Sequence, residues 1–491
     1  MTDKQMVTRR GFLETAGAAT GAVVATGAFP HPAIGMAKGA NDRINFAILG
    51  PGGRAQAHIG VLLAMKDEGE PVDIIAVADV YQKNRETARE RTNCKQAEND
   101  YRMVLENKDV DAVVIATPDH WHAKMAIDAM EGGKDVFCEK PMTHTIDEAR
   151  QVTEAQKKTE RIFTVGVQST ADPRWRMANE MITAGKIGHV MQGQTSYYRN
   201  SSCGQWRYYA LSKDMTPETI DWKMFLGTEF GLAPDLPFDR AKFAQWRCYW
   251  EFGGGMYTDL FVHQLTHLIQ AMGVRFPRRV VGGGGLYLEY DGRDVPDVAT
   301  VVADFDEGCQ VLISATMCND VQLGEIIRGH TGTIRFAGSP KDGFHVASQE
   351  HALTGRPAPP GTNTGEGGER FTPPQPRDDT RALWDHFMEC LRSRNPETLC
   401  PAVTGYAAIA TVNLGVQSYR EGKALYFDKE TGKVSEADES WAKGWEKMSK
   451  ERSKPNQVIG WHAGTEGSLL EPKDYQKLEG DWIDGKDPAE S

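Results

Sequence analysis

The sequence predicts an α/β protein in which an N-terminal parallel sheet precedes an α/β domain with a large, mostly antiparallel open sheet. Before residue 168, continuous apolar runs such as VDIIAVADV (72–80) alternate with helical segments, which is typical of a parallel sheet covered by helices on both faces. After about residue 170, runs such as DVATVVADFDEGCQVLISATM (297–317) read as strands joined by hairpin turns. This change predicts a first domain over 41–168 and a second domain over 169–428.

Each further element follows from its own pattern. Residues 352–379 are rich in Pro and Gly without periodicity, which predicts a surface loop or lid. An amphipathic helix follows near 380–393 and is a candidate to pack back on the first domain. The polar residues 429–491 are predicted to form an extension that wraps the surface. The first domain divides into strand–turn–helix over 43–65, a strand over 72–80, strand–loop–helix–strand over 109–141 and helix–strand over 146–168.

Composition and charge limit the class of protein. The 491 residues are 40% hydrophobic and 25% charged, which is globular composition. The net charge of −12 argues against nucleic acid or an anionic membrane as partners, and no stretch approaches a membrane span. The eight cysteines show no CxxC spacing. This argues against a structural zinc site and leaves disulfides and free buried thiols both open.

The N-terminus resembles a twin-arginine export signal. Arg9 and Arg10 precede a short, weakly apolar run rich in Ala and Gly. An ordinary amphipathic helix is the alternative, but so many glycines make a poor helix. Residues 1–40 are therefore predicted to be a signal and linker, and the protein is expected to be periplasmic or otherwise exported. Because that route carries folded proteins, a cofactor bound in the cytoplasm could travel with the chain.

A glycine-rich turn between the first strand and helix predicts a dinucleotide site. GPGGRA, residues 50–55, fits G-x-G-x-x-A. Gly50 allows the tight turn, Gly52 lets a pyrophosphate approach the backbone, and the helix N-terminus around Gly53 and Arg54 faces the phosphates. The pattern indicates a Rossmann domain that binds a nicotinamide dinucleotide.

Asp79 ends the second strand and bears on the choice of cofactor. An acidic residue there can accept hydrogen bonds from the adenosine ribose hydroxyls, which favours NAD. Lys83 and Arg85 lie close by in the sequence, so NADP stays open as the alternative.

Two further strands end in polar motifs, ATPDHWH and CEKP. Ligands of open parallel sheets bind beyond the carboxyl ends of the strands, so Lys140 can point into the cleft beside the nicotinamide. Glu139 is its neighbouring charge, and Pro141 restrains the backbone. An ammonium there can hydrogen-bond a substrate hydroxyl and favour its alkoxide during hydride transfer.

At this point the chain resembles the glucose-fructose oxidoreductase/inositol dehydrogenase/MocA (Gfo/Idh/MocA) family. The resemblance covers roughly residues 43–428 and implies a Rossmann domain, an α/β substrate domain and a homo-oligomer, either a dimer or a tetramer. It also implies that Lys140 is the catalytic-site lysine and that Thr117 and His122 line the cofactor loop. The motifs that carry it are GPGGRA, ATPDHWHA, GKDVFCEKPMTHT, DWKMFLG, WEFGGGMYTDLFVHQLTH and HFMECLRSRNPE.

The segment GGGMYTDLFVHQLTH supplies the other half of the predicted site. Asp259, His263 and His267 are spaced i, i+4, i+8 and share one face of a helix. By resemblance to the family's D-x-x-x-H pattern, His263 is the general base, suited by a pKa near neutrality, and Asp259 orients it or binds substrate. His267 is either a substrate contact or a hydrogen-bonded structural histidine. A metal held by these three residues is a weaker alternative because no further ligand cluster is evident.

The substrate side is predicted to be aromatic and polar. Tyr198, Arg199 and Trp250 fall in a segment dense in Trp and Tyr, and aromatic faces with hydrogen-bonding groups suit a carbohydrate ring. The leading hypothesis is an exported NAD(P)-dependent oxidoreductase with tightly bound cofactor, acting on a hydroxyl of a sugar, polyol or glycoside. The first alternative is a lyase, hydratase or glycosidase with transient oxidation and no net redox. The second is a non-catalytic sugar-binding protein.

Overall fold

A computed structural model of the chain describes residues 43–349 and 367–450. The predicted signal (1–40), most of the predicted lid and residues 451–491 lie outside this part. The first domain is a parallel sheet in the order β3-β2-β1-β4-β5-β6, six strands in the part described. Its strands are β1 (Ile44–Leu49), β2 (Val72–Ala78), β3 (Gln96–Glu98), β4 (Ala112–Ile115), β5 (Asp135–Glu139) and β6 (Phe163–Gly166).

Helices connect these strands and cover the sheet, as the apolar strands require. β1, β4 and β5 are buried along most of their length, so both faces of the sheet must be covered. Thr145 caps its helix in a capping box with Glu148. The helices are α1 (Gly53–Asp67), α2 (Gln82–Thr92), α3 (Tyr101–Leu105), α4 (Asp119–Glu131) and α5 (Ile146–Thr159).

The second domain is an open, mostly antiparallel sheet. Its order is β16-β15-β14-β13-β7-β11-β10-β9-β17-β18, ten strands among the described residues, and only the β7–β11 pair is parallel. β8 (Arg199–Asn200) and β12 (Cys318–Asn319) form a separate two-stranded sheet. The strands of the large sheet are β7 (Val190–Ser196), β9 (Arg279–Gly285), β10 (Val298–Phe305), β11 (Cys309–Thr316), β13 (Glu325–Gly329), β14 (Gly332–Phe336), β15 (Phe344–Ser348), β16 (Glu369–Phe371), β17 (Leu425–Asp428) and β18 (Lys433–Glu436).

Helices of the second part join the two sheets. A π-helical turn, Tyr257–Phe261, runs directly into α9 (Val262–Met272). The helix α11 (Ala402–Glu421) contacts α5 of the first domain and β9 of the large sheet. A Cβ on Gly282 in β9 would overlap the carbonyl oxygen of Gly415 in α11, so glycine lets this helix lie directly on the strand. The helices are α6 (Pro173–Thr183), α7 (Trp222–Leu226), α8 (Arg240–Ala244), α9 (Val262–Met272), α10 (Asp379–Ser393), α11 (Ala402–Glu421) and α12 (Ser440–Lys450).

The predicted fold class is confirmed, and several details differ from the sequence expectation. Part of the predicted loop is the strand β16, which pairs with β15. Part of the predicted extension is β18, which forms the edge of the large sheet beside β17. The eight cysteines are all free thiols. Within the described residues, no helix is long and apolar enough to cross a membrane.

The helix α10 packs against the first sheet although it follows the second in the chain. Its Trp384 is fully buried and stacks on Phe137 of β5, with ring centroids 4.5 Å apart. The Trp384 indole N–H donates to His58 Nδ1 at 2.9 Å. In a neutral ring the other nitrogen then carries the proton, so His58 Nε2 donates to Glu139, 2.8 Å away. A buried chain of contacts therefore connects α10 with the end of β5.

We predict that Trp384→Ala lowers the free energy of unfolding by about 3–5 kcal/mol, because it opens a large cavity in a closely packed core. The measurement is the midpoint of thermal unfolding of the full chain. Tyr290→Ala is the control, since Tyr290 is 76% exposed and such surface changes stay within about 0.5 kcal/mol. Equal midpoints for the two variants would contradict the packing of α10 on this sheet.

Candidate active site

A cleft lies beyond the carboxyl ends of β1, β2 and β4, where the glycine-rich turn was predicted to bind a dinucleotide. Gly50, Gly52, Gly53, Asp79 and Thr117 all line it. Gly50 has φ of +76°, and a Cβ there would lie 2.7 Å from Thr117 Cγ2. Both the backbone conformation and the close approach therefore require glycine at this turn.

The N-terminus of α1 fits the diphosphate of a dinucleotide. Gly52 at the N-cap offers no side-chain cap, and the first turn has no acidic residue. A Cβ on Gly53 would have nothing within 4 Å, so the space above the helix end is open. Arg54 Nη2 is buried and has no hydrogen-bond partner in the described chain. Free backbone N–H groups, the helix dipole and this guanidinium together favour an anion.

Asp79 ends β2 on the wall of the same cleft. Its carboxylate accepts hydrogen bonds from Tyr81 N at 2.8 Å and Asn84 Nδ2 at 3.2 Å. Burial raises its pKa to about 6 in spite of these bonds. The two cations that left NADP as an alternative cofactor both have partners within the protein. Lys83 pairs with Asp214, and Arg85 Nη1 donates to the Asp79 carbonyl at 2.7 Å.

A second cavity of about 480 Å³ continues from this cleft. The two share several lining residues, among them Arg54, Thr117 and Arg247. Lys140, Asp259 and His263 line the second cavity together. The structure thus brings the three predicted catalytic residues to the end of the cofactor cleft, where a ligand in the cavity can meet a nicotinamide ring.

Lys140 and Asp259 form the central ion pair of this cavity. Lys140 Nζ lies 2.6 Å from Asp259 Oδ1 and donates to the Asp259 carbonyl at 2.9 Å. Arg247 Nε lies 3.0 Å from the same carboxylate oxygen. Burial alone would raise the pKa of Asp259, but the Lys140 and Arg247 charges outweigh it and hold the pKa far below its usual range.

Trp206 completes the surroundings of Asp259 and was not predicted to do so. Its indole N–H donates to Asp259 Oδ2 at 2.9 Å. Its backbone φ is +66°, in the left-handed region that bulky residues avoid. Strain of this kind is kept only where the surrounding structure enforces it, and it concentrates at functional sites. The sequence marks this residue only as part of a segment dense in Trp and Tyr, and its contact with Asp259 depends on a loop conformation that no local pattern predicts.

Asp259 lies in the π-helical turn, and His263 follows in α9. The sequence predicted a regular helix over both. A π turn shifts the register of side chains along the helix and is frequent at functional sites. Here Asp259 and His263 both still face the cavity.

His263 differs from its neighbours because its ring is free. Within the described residues, neither ring nitrogen of His263 has a hydrogen-bond partner, and its closest aromatic neighbour is Tyr197, with centroids 6.0 Å apart. Burial, with the Lys140 charge in addition, lowers its pKa to about 3. The sequence prediction of a pKa near neutrality is therefore wrong. The ring is neutral at physiological pH and can accept a proton or a hydrogen bond.

In the two other predicted histidines, both ring nitrogens have hydrogen-bond partners. His267 Nδ1 lies 2.9 Å from Ser169 Oγ, and its Nε2 lies 2.8 Å from Glu325. The His122 ring nitrogens lie 2.6 Å from the Pro141 carbonyl and 2.9 Å from the Thr117 carbonyl. His267 borders the cavity, whereas His122 lies behind the cofactor cleft and braces its loops.

Glu139 holds a side chain that lines the cleft. It is buried and accepts hydrogen bonds from Arg54 Nε at 2.7 Å and from His58. These partners, together with the nearby Lys140 charge, overcome the effect of burial and hold its pKa well below the usual range. Glu139 thus fixes the Arg54 side chain that borders both cavities.

The predicted substrate residues divide between the cavity and its surroundings. Arg199 lines the cavity, and Tyr197 lines it where Tyr198 was predicted. The Tyr198 hydroxyl instead donates to Ser314 Oγ at 3.2 Å. Trp250 packs under Arg420, with 5.1 Å between guanidinium and ring. Substrate binding by Tyr198 and Trp250 stays a prediction that no cavity contact supports.

The metal alternative finds no matching donor set in the part of the chain described. No group of three or more His, Cys, Asp or Glu side chains is arranged to hold a metal ion there. Asp259 is bound by Lys140 and Arg247, and both His267 nitrogens are engaged.

Comparison with known proteins places the chain in a family. The model of the oxidoreductase family with the NAD-binding Rossmann fold matches residues 44–167, and the model of its C-terminal α/β domain matches residues 179–427. A parallel dinucleotide-binding sheet followed by an open α/β domain is thus the architecture of a class of NAD-binding oxidoreductases. The chain belongs to the Gfo/Idh/MocA oxidoreductase family.

Individual relatives are more distant. A glycosyl hydrolase family 109 protein of Shewanella baltica is 30% identical over 238 residues, covering 42% of this chain and 51% of the relative. Levoglucosan dehydrogenase of Pseudarthrobacter phenanthrenivorans is 29% identical over 205 residues, covering 38% of this chain and 52% of the relative. The chain thus spans about half the length of the curated relatives it matches.

Solved structures share the fold. The WlbA dehydrogenase from Bordetella pertussis, in complex with NADH and UDP-GlcNAcA, matches with a TM-score of 0.57 at 18% identity. The match covers 79% of this chain and 99% of that chain.

We predict that Asp79→Ser weakens NAD binding and narrows the difference in affinity between NAD and NADP. The carboxylate accepts from ribose hydroxyls and repels a 2′-phosphate, whereas serine does neither as strongly. Titration of both cofactors into the wild type and the variant measures this. A wild-type preference for NADP would show that Asp79 has been assigned the wrong role.

Proposed function

We propose that the protein is an NAD-dependent oxidoreductase that acts on a CH–OH group of a sugar, polyol or glycoside. One observation carries the proposal. A lysine fixed by an aspartate and a neutral histidine with both ring nitrogens free line one cavity at the end of the cofactor cleft. This combination can stabilise an alkoxide and accept a hydroxyl proton.

Three residues of the chain have separate roles in the proposed reaction. Lys140 uses two of its three N–H groups on Asp259, which leaves one to donate to the substrate oxygen. His263 takes the hydroxyl proton, and Asp259 holds the ammonium in position. A bound NAD would supply the acceptor for the hydride of the carbon that bears the hydroxyl. Arg54 and the N-terminus of α1 would hold its diphosphate, and Asp79 would hold its adenosine ribose.

Carbohydrate is the substrate class that the cavity wall favours. Tyr197, Tyr208, Tyr209 and Trp246 line the cavity beside charged groups, and aromatic faces with polar neighbours suit the two faces of a sugar ring. The similarity to levoglucosan dehydrogenase supports the same class.

A second candidate is a glycosidase or lyase with transient oxidation and no net redox. The glycosyl hydrolase family 109 relative, 30% identical, favours it. Oxidation of one ring carbon acidifies the hydrogen on its neighbour, so elimination can follow before the first carbon is reduced again. Exchange of a substrate hydrogen with deuterated solvent, without accumulation of NADH, supports this candidate. NADH accumulating in proportion to substrate consumed supports net oxidation.

We also propose that the protein is exported with its cofactor and works as a homo-oligomer. The twin-arginine pattern supports export. Because that route carries folded proteins, a cofactor bound in the cytoplasm can travel with the chain. We predict that protein purified from an exported fraction retains nicotinamide cofactor through desalting, measured as cofactor released on denaturation. Fully cofactor-free protein that needs millimolar added NAD for activity would count against this.

Light scattering measures the oligomeric mass.

We predict that Lys140→Met and His263→Asn each lower kcat by on the order of 10²-fold or more, because each removes a group in one proton transfer. The double variant should be far less than multiplicatively worse. Burial and the Lys140 charge lower the pKa of His263 to about 3, far below its ordinary value of 6.5. The kcat/KM of the wild type, which reports pKa values of the free enzyme, should therefore show no rise caused by this ring between pH 6 and 8.

Folding and cofactor binding are measured beside these rates. Both variants are expected to stay folded at the assay temperature and to keep an NAD affinity close to wild type. Lys140→Met should lower the thermal midpoint, because it removes one partner of a buried ion pair, whereas His263→Asn should leave the midpoint close to wild type. Near-normal turnover in two folded, NAD-binding single variants would show that the reaction takes place elsewhere.

A further inference from the structure

Arg199 is a charged side chain of the substrate cavity with little of its hydrogen-bonding capacity used. Its Nη2 donates to the Tyr197 hydroxyl at 2.6 Å, and its guanidinium carbon lies 4.7 Å from the centre of the Tyr197 ring. Among the residues that the structure describes, no carboxylate forms an ion pair with it. A guanidinium carries five N–H donors, so most of them are available to a ligand.

The other cations of the cavity each have a carboxylate partner. Arg54 pairs with Glu139 at 2.7 Å. Lys140 and Arg247 share the single carboxylate of Asp259. The charge of Arg199 is therefore additional to these pairs.

Two more carboxyl groups line the cavity, and neither neutralises Arg199. Burial raises the pKa of Asp119 to about 7, so this group is only partly ionised at neutral pH, and it accepts a hydrogen bond from Thr258. Asp379, in the first turn of α10, lines the cavity but forms no ion pair with Arg199 among the described residues. The end of the cavity near Lys140, Arg199 and Arg247 therefore carries an excess of positive charge.

This excess lies close to the reacting groups. After burial and the charge of Lys140, Arg199 also contributes to lowering the pKa of His263, as an unneutralised cation nearby must. The Tyr197 ring that holds Arg199 faces the His263 ring edge-on. A ligand seated against this aromatic wall thus meets an unpaired guanidinium and the catalytic groups together.

We propose that the cavity takes a sugar acid, that is, a sugar ring bearing a carboxylate, and that Arg199 binds the carboxylate. This inference rests on the proposed function and names its substrate class. The guanidinium fork matches a carboxylate, with charge-assisted hydrogen bonds about twice as strong as neutral ones. Arg199 is then the residue that selects acidic over neutral sugars.

The experiment compares sugars that differ only at C6. D-glucuronate and D-glucose, and D-galacturonate and D-galactose, are titrated calorimetrically into the full chain loaded with NADH. We expect at least one uronate to bind about 10-fold or more tightly than its neutral partner, as a charge-assisted contact allows. Arg199→Gln should abolish that preference. Arg89→Gln, an exposed arginine on α2, is the matched control and should keep the preference.

Equal affinity for acidic and neutral sugars, no uronate binding, or a preference that survives in Arg199→Gln overturns the inference. D-glucose 6-phosphate is the third probe, and tighter binding of this phosphate than of either uronate overturns the assignment of a carboxylate. Failure of the proposed function is distinct. In that case uronates bind in a manner that depends on Arg199, but neither NADH formation nor exchange of substrate hydrogen with solvent occurs.

Discussion

The ion pair between Lys140 and Asp259 joins the two halves of the molecule at the candidate active site. Lys140 follows β5 of the parallel sheet, and Asp259 lies in the π-helical turn before α9. Their side chains are only 11% and 13% exposed. Withdrawing two charges from water is costly, so such a pair adds little to stability, whereas losing one partner costs about 3–5 kcal/mol. Its value here is to fix an ammonium in place.

The residues around this ion pair keep Asp259 ionised and in position. Asp259 needs further donors to remain ionised, and Arg247 and Trp206 supply them. Trp206 reaches its position through a strained backbone. Burial, with the Lys140 charge in addition, keeps His263 neutral, and its ring nitrogens have no partner among the described residues. The cavity therefore holds a charged lysine and a neutral histidine side by side, the two groups that the proposed oxidation of a hydroxyl would use.

The sequence predicted those features of the site that a local pattern of residues determines. The glycine turn at Gly50 and the placement of Lys140 at a strand end follow from rules of open parallel sheets. The neighbours of the pair do not, because Trp206 and Arg247 reach Asp259 only through tertiary packing. Tyr197 and Tyr198 show a further limit. Adjacent side chains of an extended chain face opposite ways, and the sequence does not say which one faces the cavity. The pKa of His263 depends on burial, which is equally non-local.

The central claim is that Asp259 acts by holding Lys140, and Asp259→Asn tests it most directly. The measurement is kcat for hydride transfer in the NAD-loaded full chain, beside Lys140→Met and the double variant Lys140→Met/Asp259→Asn. The account predicts a loss in Asp259→Asn comparable to that in Lys140→Met, with the double variant little worse than Lys140→Met alone. Near-wild-type turnover in a folded Asp259→Asn protein would contradict it, as would multiplicative losses in the double variant.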